Sequence, residues 1–389
     1  MLAIRATRLF DGVSATPVEQ PLLLIDDGTI VAVQSGGEPP SEAEVVEMGR
    51  ATLVPGLIDA HVHLGFDASP DPVGRLDTVD DDELLDGMRT AAHTALMAGI
   101  TTVRDLGDRN YTAVTLREEL ADKPTAGPAV LAAGPPITTP KGHCWYLGGE
   151  ASGVDGVRAA VRAHADRGVD VIKVMATGGE LTPGTFSHIA QFDVEELRVA
   201  ADEAHRLGLP IAAHAHGRDG IVNAVNAGFD TIEHCSFISA DGIAYDPAVL
   251  DSIVRAGVAV STTLGHVPGV PVPPRILALM SQIVPAFQAL LNSGATIVCS
   301  SDAGIGPAKP HDVLPYAAAT MVTVGGGAPV DAMVAMTSVA ADACHVGDHK
   351  GRLAPGYDAD ILAVDGDPFT DIHALRSVVA VYRLGERVR

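Results

Sequence analysis

From Leu57 to Ser301 the chain alternates short apolar runs with longer stretches whose apolar positions recur every three or four residues. The first pattern predicts buried strands, the second amphipathic helices. Eight apolar runs can be read: one ending at His61-Val62-His63, then Ile100–Leu106, Ala129–Ile137, Val169–Ala176, Pro210–His216, Thr231–Phe237, Val258–Leu264 and Thr296–Ser301. Helix-compatible sequence lies between them, clearest over Asp81–Met97, and Gly99 and Gly208 stand where helices should stop. Eight such units predict an α/β fold, a (β/α)8 TIM-like barrel with its chemistry at the C-terminal strand ends. The repeat alone also admits a doubly wound open sheet.

The two ends of the chain share another style. Ala3–Leu9, Pro21–Ile25 and Thr29–Val33 read as short strands, with Asp26-Asp27-Gly28 as a hairpin turn. After Lys350 the pattern returns: Ala359–Val364 and Val378–Leu384 are punctuated by Gly351, Gly356 and Gly366. Neither end is long enough to bury a core alone. Residues 1–53 and 350–389 are therefore expected to pair into one small β-sandwich domain beside a barrel of residues 54–349.

Composition narrows the function. Hydrophobic residues make up 47% of 389, enough for a large core, and the longest apolar runs fall short of a membrane span. Forty-nine acidic residues against 26 basic ones give a formal charge of -23, which opposes binding to a phosphate backbone. Cys144, Cys235, Cys299 and Cys344 are scattered without a CxxC pair and read as reduced thiols. The start, Met1-Leu2-Ala3-Ile4-Arg5, lacks a secretory pattern. The expectation is a cytoplasmic protein acting on a small molecule or short peptide, with no nucleic-acid or membrane partner; homo-oligomerisation is left open.

Polar residues then stand out by position. His61 and His63, two apart on a strand, share a face and make half a metal site. Lys173 interrupts Val171-Ile172-Lys173-Val174-Met175, where burying an ammonium is costly. His214 closes one apolar run with His216 on its face, His234 closes another, and Asp302 follows Ile297–Ser301. Singly, each has a plain explanation: a satisfied core histidine, or a lysine paired with a carboxylate. Together they sit at or near the C-terminal ends of strands one, four, five, six and eight.

On these residues the chain resembles the amidohydrolase superfamily, within it the prolidase-like and imidazolonepropionase-related metal-dependent hydrolases. The matching segments are Pro55-Gly56-Leu57-Ile58-Asp59-Ala60-His61-Val62-His63, Ile172-Lys173-Val174-Met175-Ala176-Thr177-Gly178-Gly179, His214-Ala215-His216-Gly217, Ile232-Glu233-His234 and Ser301-Asp302-Ala303-Gly304. Gly351-Arg352-Leu353-Ala354-Pro355-Gly356-Tyr357-Asp358-Ala359-Asp360 resembles the family's return into its terminal β domain. The resemblance implies two divalent ions, usually zinc. His61, His63 and Asp302 would hold the more buried one and His214 and His234 the more exposed one. Lys173 would carry a carboxylate from CO2, as N6-carboxylysine, and bridge them beside a hydroxide. Asp302 would then be general base and later acid.

Further candidates are less sharply marked. Gly142-His143 matches a Gly-His of prolidase-like relatives, which makes His143 a donor to the substrate carbonyl; the competing reading is a loop histidine packed on Trp145 and Tyr146. Tyr146, His188 and His216 are the other expected substrate-side residues, and Gly178–His188 is expected to be a flexible loop over the site. Arg75, Arg104 and Arg109 could anchor a substrate carboxylate. Ser300 and Ser301 are bystanders, since no G-x-S-x-G occurs. The expected function is metal-dependent cleavage of an amide or peptide C–N bond in a dipeptide, N-acyl amino acid or modified peptide. The rivals are a cyclic-amide hydrolase or deaminase of the same superfamily, a peptide natural-product maturation enzyme, and a non-catalytic scaffold.

Overall fold

The structure, a computed structural model, describes all residues other than Pro273 and Arg275. Eight parallel strands run through the middle of the chain: β1 Leu57–Val62, β2 Ile100–Asp105, β3 Ala129–Ala132, β4 Ile172–Met175, β5 Ile211–Ala215, β6 Thr231–His234, β7 Ala259–Thr263 and β8 Ile297–Ser300. Each is followed by a helix before the next strand or, after β8, by Leu314–Thr323. Strands β1 to β3 form one sheet and β4 to β8 another, neighbour pairing with neighbour. Near-continuous apolar runs suit strands covered on both faces.

Hydrogen bonds join the two sheets at both margins. Past β8, Asp302 N–H donates to the His61 carbonyl at 2.8 Å and His63 N–H to that of Ala303 at 2.9 Å. Past β3, Ile137 N–H donates to the Lys173 carbonyl at 2.8 Å, and Met175 N–H returns to Ile137 at 2.9 Å. The run expected as a strand over Ala129–Ile137 stops at Ala132. Gly134 turns there with φ +69°, and Pro135-Pro136 have no N–H to donate.

Local signals fix the helix ends that set the loops. The helix Asp81–Met97 matches its expected span and starts where the Asp80 carboxylate accepts the Glu83 N–H at 2.9 Å. The helix Val194–Arg206, after β4, opens on a reciprocal Asp193/Glu196 capping box.

The chain ends form two further sheets. One has four strands ordered Thr29–Ser35, Pro21–Asp26, Leu2–Arg5 and Glu44–Glu47; the other has six and includes Ala51–Pro55 paired antiparallel with Ile361–Asp365. Ile4, Leu23, Ile30, Leu53, Ile361 and Tyr382 share one buried cluster, so both ends of the chain supply it. The turn at Asp27 and Gly28 has φ +46° and +75°, the pair of positive angles that a two-residue type I′ hairpin needs. The strand expected over Ala3–Leu9 is instead two, Leu2–Arg5 and Arg8–Leu9, in different sheets. The backbone changes sheets at Ala6-Thr7. Among the described residues no helix is long and apolar enough to cross a membrane.

Candidate metal centre

The inter-sheet bonds at β1 and β8 carry Asp302 to the histidines of β1. Its Oδ1 lies 3.5 Å from His61 Nε2 and 3.4 Å from His63 Nε2. Both imidazoles are buried and their orientation is set from behind. The Gly107 carbonyl, which can only accept, lies 3.3 Å from His63 Nδ1. Glu233 Oε2 accepts from His61 Nδ1 at 2.8 Å. With Nδ1 protonated in each ring, the Nε2 lone pairs face Asp302. Burial takes His61 down to about 4, Lys173 adding to it and Glu233 opposing, so the ring is neutral and able to ligate.

A second cluster sits beside the first. The ligand atoms of His214, His216 and His234 lie within 4.8 Å of one another, as do those of His61, His63 and Asp302. His234 Nε2 is 3.0 Å from His214 Nδ1, and the ring centroids of His61 and His234 are 5.0 Å apart. The Gly178 carbonyl accepts from His214 Nε2 at 3.0 Å, which leaves Nδ1 as that ring's free lone pair. His234 and Asp302 both adopt left-handed backbone, φ +72° and +63°, an uncommon conformation for non-glycine residues in which Asp and His are enriched.

Lys173 belongs to both clusters electrically. It is 1% exposed, and its Nζ has no hydrogen-bond partner. Burial draws its ammonium down to about 8, with Glu233 opposing and Arg104 assisting. Its charge also depresses His61 in one cluster and His214, His216 and His234 in the other. An orphaned ammonium among neutral imidazoles is a poor end state. Two convergent donor sets around it fit a pair of divalent ions.

The remaining expected residues fall around this core unevenly. His143 is buried, its ring 4.7 Å from that of His214, and burial with His216 and Lys173 takes it to about 3. The Thr182 hydroxyl accepts the Cys144 N–H at 2.8 Å, which leaves its proton for His143 Nδ1 at 3.1 Å. The ring's Nε2–H is then free to donate. Tyr146 is half-buried, its hydroxyl on the Cys144 sulfur at 3.6 Å. His216 Nδ1 meets the Ser236 hydroxyl at 2.7 Å, so this ring joins the second cluster rather than standing apart from it. His188 is half-buried against Phe186 and outside both clusters.

The loop after β4 is joined at its base, where Gly178 N–H donates to Ile189 at 3.0 Å and Gln191 N–H to Ala176 at 2.9 Å. The expected carboxylate anchors change. Arg104 is no substrate anchor, because its guanidinium is buried, donating to Glu233 at 3.0 Å and to the Ala60 carbonyl at 2.7 Å. Arg109 is committed to Asp81 and to the Leu76 and Val79 carbonyls, and Arg75 pairs with Asp67.

Sequence reasoning missed Glu233 and Lys309. Glu233 is fully buried; burial would raise its carboxyl, but Arg104, His61 and Lys173 hold it below the carboxylate range. The signal was available, a charged residue inside an apolar strand. Lys309 donates to the Thr263, Leu264 and Ser301 carbonyls at 3.0, 3.2 and 2.5 Å, clamping the ends of β7 and β8 next to Asp302.

The sequence pattern of the Amidohydrolase family matches residues 52–388. An ochratoxinase from Aspergillus niger is 30% identical over 410 aligned positions, covering 94% of this chain and 81% of that protein. An imidazolonepropionase from Salinispora arenicola is 24% identical, covering 88% and 85%. Among solved structures, a Xaa-Pro dipeptidase with bound methionine in its active site superposes with TM-score 0.87 at 27% identity, covering 99% of both chains.

Proposed function

Because the chain belongs to the amidohydrolase family and is a hydrolase of amide C–N bonds, we propose that its substrate is a dipeptide, an N-acyl amino acid or a modified peptide. The observation that carries the reading is the pair of donor clusters whose imidazoles share the electrostatic influence of Lys173, a buried lysine with a partnerless nitrogen. Structural similarity points the same way, since one neighbour is a Xaa-Pro dipeptidase with bound methionine in its active site.

His61, His63 and Asp302 would hold one divalent ion, zinc by preference, and His214 and His234 the other, with His216 beside them. Lys173, drawn down to about 8, keeps a neutral fraction near pH 7, and only the neutral amine adds CO2. The resulting carbamate would replace a stranded cation with anionic oxygens. Bound ions supply a more acidic water and a polarised carbonyl. Asp302 accepts the proton lost as water adds to the scissile carbon and passes it to the departing nitrogen. Burial alone would raise its carboxyl, but the His63 and His61 imidazoles and the Lys309 ammonium beside it keep it low, hence ionised and ready to accept. His143 donates its Nε2–H to the carbonyl oxygen as negative charge gathers there.

The same reading takes β1 to β8 as a closed (β/α)8 barrel over residues 54–349, supported by the bonded margins at Val62–Ala303 and Ile137–Val174. The terminal sheets would be a composite β-sandwich of residues 1–53 and 350–389. Four free, buried cysteines suit a reducing, cytoplasmic setting.

The test is metal content per chain together with turnover of a panel of dipeptides, N-acyl amino acids and an imidazolone. Two ions per chain with amide cleavage supports the proposal. A metal-free protein as purified, or a two-ion protein that cuts no amide, overturns it.

A further inference from the structure

Beside the second histidine cluster lies a cavity of about 290 Å³ whose far wall is the helix Pro274–Leu291. His216 and His234 form the near wall; Phe237, Leu264, Met280, Val284 and Phe287 are among the other lining residues. We infer that this cavity receives an aromatic or branched aliphatic group of the substrate, carried next to the scissile amide. The inference rests on the hydrolase reading and extends it to the substrate's chemical class.

Three observations carry it. The first is charge: among the described residues lining the cavity none is Asp, Glu, Lys or Arg. The second is the state of its hydroxyls, all of which have partners in the protein. Ser236 is on His216 at 2.7 Å, Thr263 on His234 at 2.7 Å, Thr262 donates to the Val298 carbonyl at 3.0 Å and Thr320 to that of Tyr316 at 3.0 Å. A charged or hydroxylated substrate group placed there would shed water with little in return. The third is uncovered apolar surface, since Ile283, Val284 and Phe287 are only half-buried although they face a cavity shared with the ends of β6 and β7. The volume is at the low end for small-molecule sites and suits one side chain rather than a whole peptide. Because two of the candidate metal-centre histidines are also its wall, whatever fills it lies beside the reacting bond.

Binding and turnover separate the two layers of the argument. The probe is 3-phenylpropanoate, which has no amide to cut; succinate controls for its carboxylate. Saturation-transfer NMR on the metal-replete protein should show the phenyl protons contacted and 3-phenylpropanoate held at least about 10-fold tighter than succinate. Val284→Trp, which fills the cavity, should weaken 3-phenylpropanoate about 10-fold or more. Met280→Ala should instead admit 3-(2-naphthyl)propanoate better than wild type does. In parallel, the kcat/KM ratio of N-acetyl-phenylalanine to N-acetyl-glycine should collapse in Val284→Trp. Equal binding of the two acids, or phenyl binding that neither variant alters, overturns the cavity assignment even where amides are cut. Phenyl binding that obeys both variants without any amide turnover keeps the cavity and overturns the hydrolase reading. Melting temperature and metal content confirm that each variant is folded.

Discussion

Glu233 shows how one buried carboxylate can govern a ligand it never replaces. It accepts from His61 Nδ1 on one oxygen and from Arg104 and the Thr231 hydroxyl on the other. A neutral amide of the same shape accepts on one side only, so it keeps either the Arg104 and Thr231 bonds or the His61 bond, and it lacks the charge that fixes the His61 tautomer. Glu233→Gln should therefore weaken metal binding about 10- to 100-fold, read by chelator competition, with lowered thermal stability because Arg104 loses its counter-charge. Unchanged affinity would show that His61 needs no such support. At Lys173 the expectation is sharper. Lys173→Ala should lose most bound metal and most turnover, with partial recovery in added short-chain carboxylate; a metal-replete variant of full activity would sink the carbamate. Asp302→Asn should reduce kcat about 100-fold or more if the residue moves protons, measured at matched metal content.

At the scale of an element, the loop after β4 acts as the roof over His143. A Cβ built on Gly179 would come within 2.3 Å of His143 Nε2, the atom assigned to the carbonyl. Gly179→Ala should thus displace the ring and lower kcat about 10-fold or more, leaving metal content at wild-type level; loss of metal instead would mean the loop supports the ligands, not the donor. Elements like this also mark where sequence reading succeeds. The eight central strands were legible because burial on both faces leaves continuous apolar runs, and the candidate ligand pair because two-residue periodicity puts His61 with His63. Lys173 was legible as a charge inside such a run. Arg104 and Glu233 gave the same signal from β2 and β6, yet their partnership is a contact 129 residues apart in sequence, which no local pattern encodes. The fold-back of residues 177–191 and the cavity under the helix Pro274–Leu291 were illegible for the same reason: each depends on what the segment lands against.

Across the whole molecule, a buried ion cluster ties the C-terminal segment together at a residue whose backbone also meets the start of β1. Asp360 accepts from Arg383 Nη1 at 2.7 and 2.9 Å, from Lys350 Nζ at 3.0 Å and from the Leu384 N–H at 3.0 Å. Its own carbonyl takes the Gly56 N–H at 2.8 Å, immediately before β1 begins and five residues from His61. Burial would raise this carboxyl, but Lys350, Arg383 and the Leu384 N–H bring it below its ordinary value. A depressed folded-state pKa means that the ionised group stabilises the fold above the unfolded carboxylate's pKa of about 3.9, and that this contribution fades as pH falls through the folded value. Removing the carboxylate strands Arg383, while Lys350 retains Asp358 at 2.6 Å. Asp360→Ala should then destabilise by about 3–5 kcal/mol at neutral pH. Thermal unfolding of both proteins between pH 7 and pH 3 checks the sign. The gap in melting temperature should be widest near neutrality and narrow below about pH 4, because acid neutralises in the wild type the charge that the variant lacks. A gap that stays constant into acid would mean that Asp360 acts through packing and its backbone alone, and that its carboxylate contributes no charge-dependent stability.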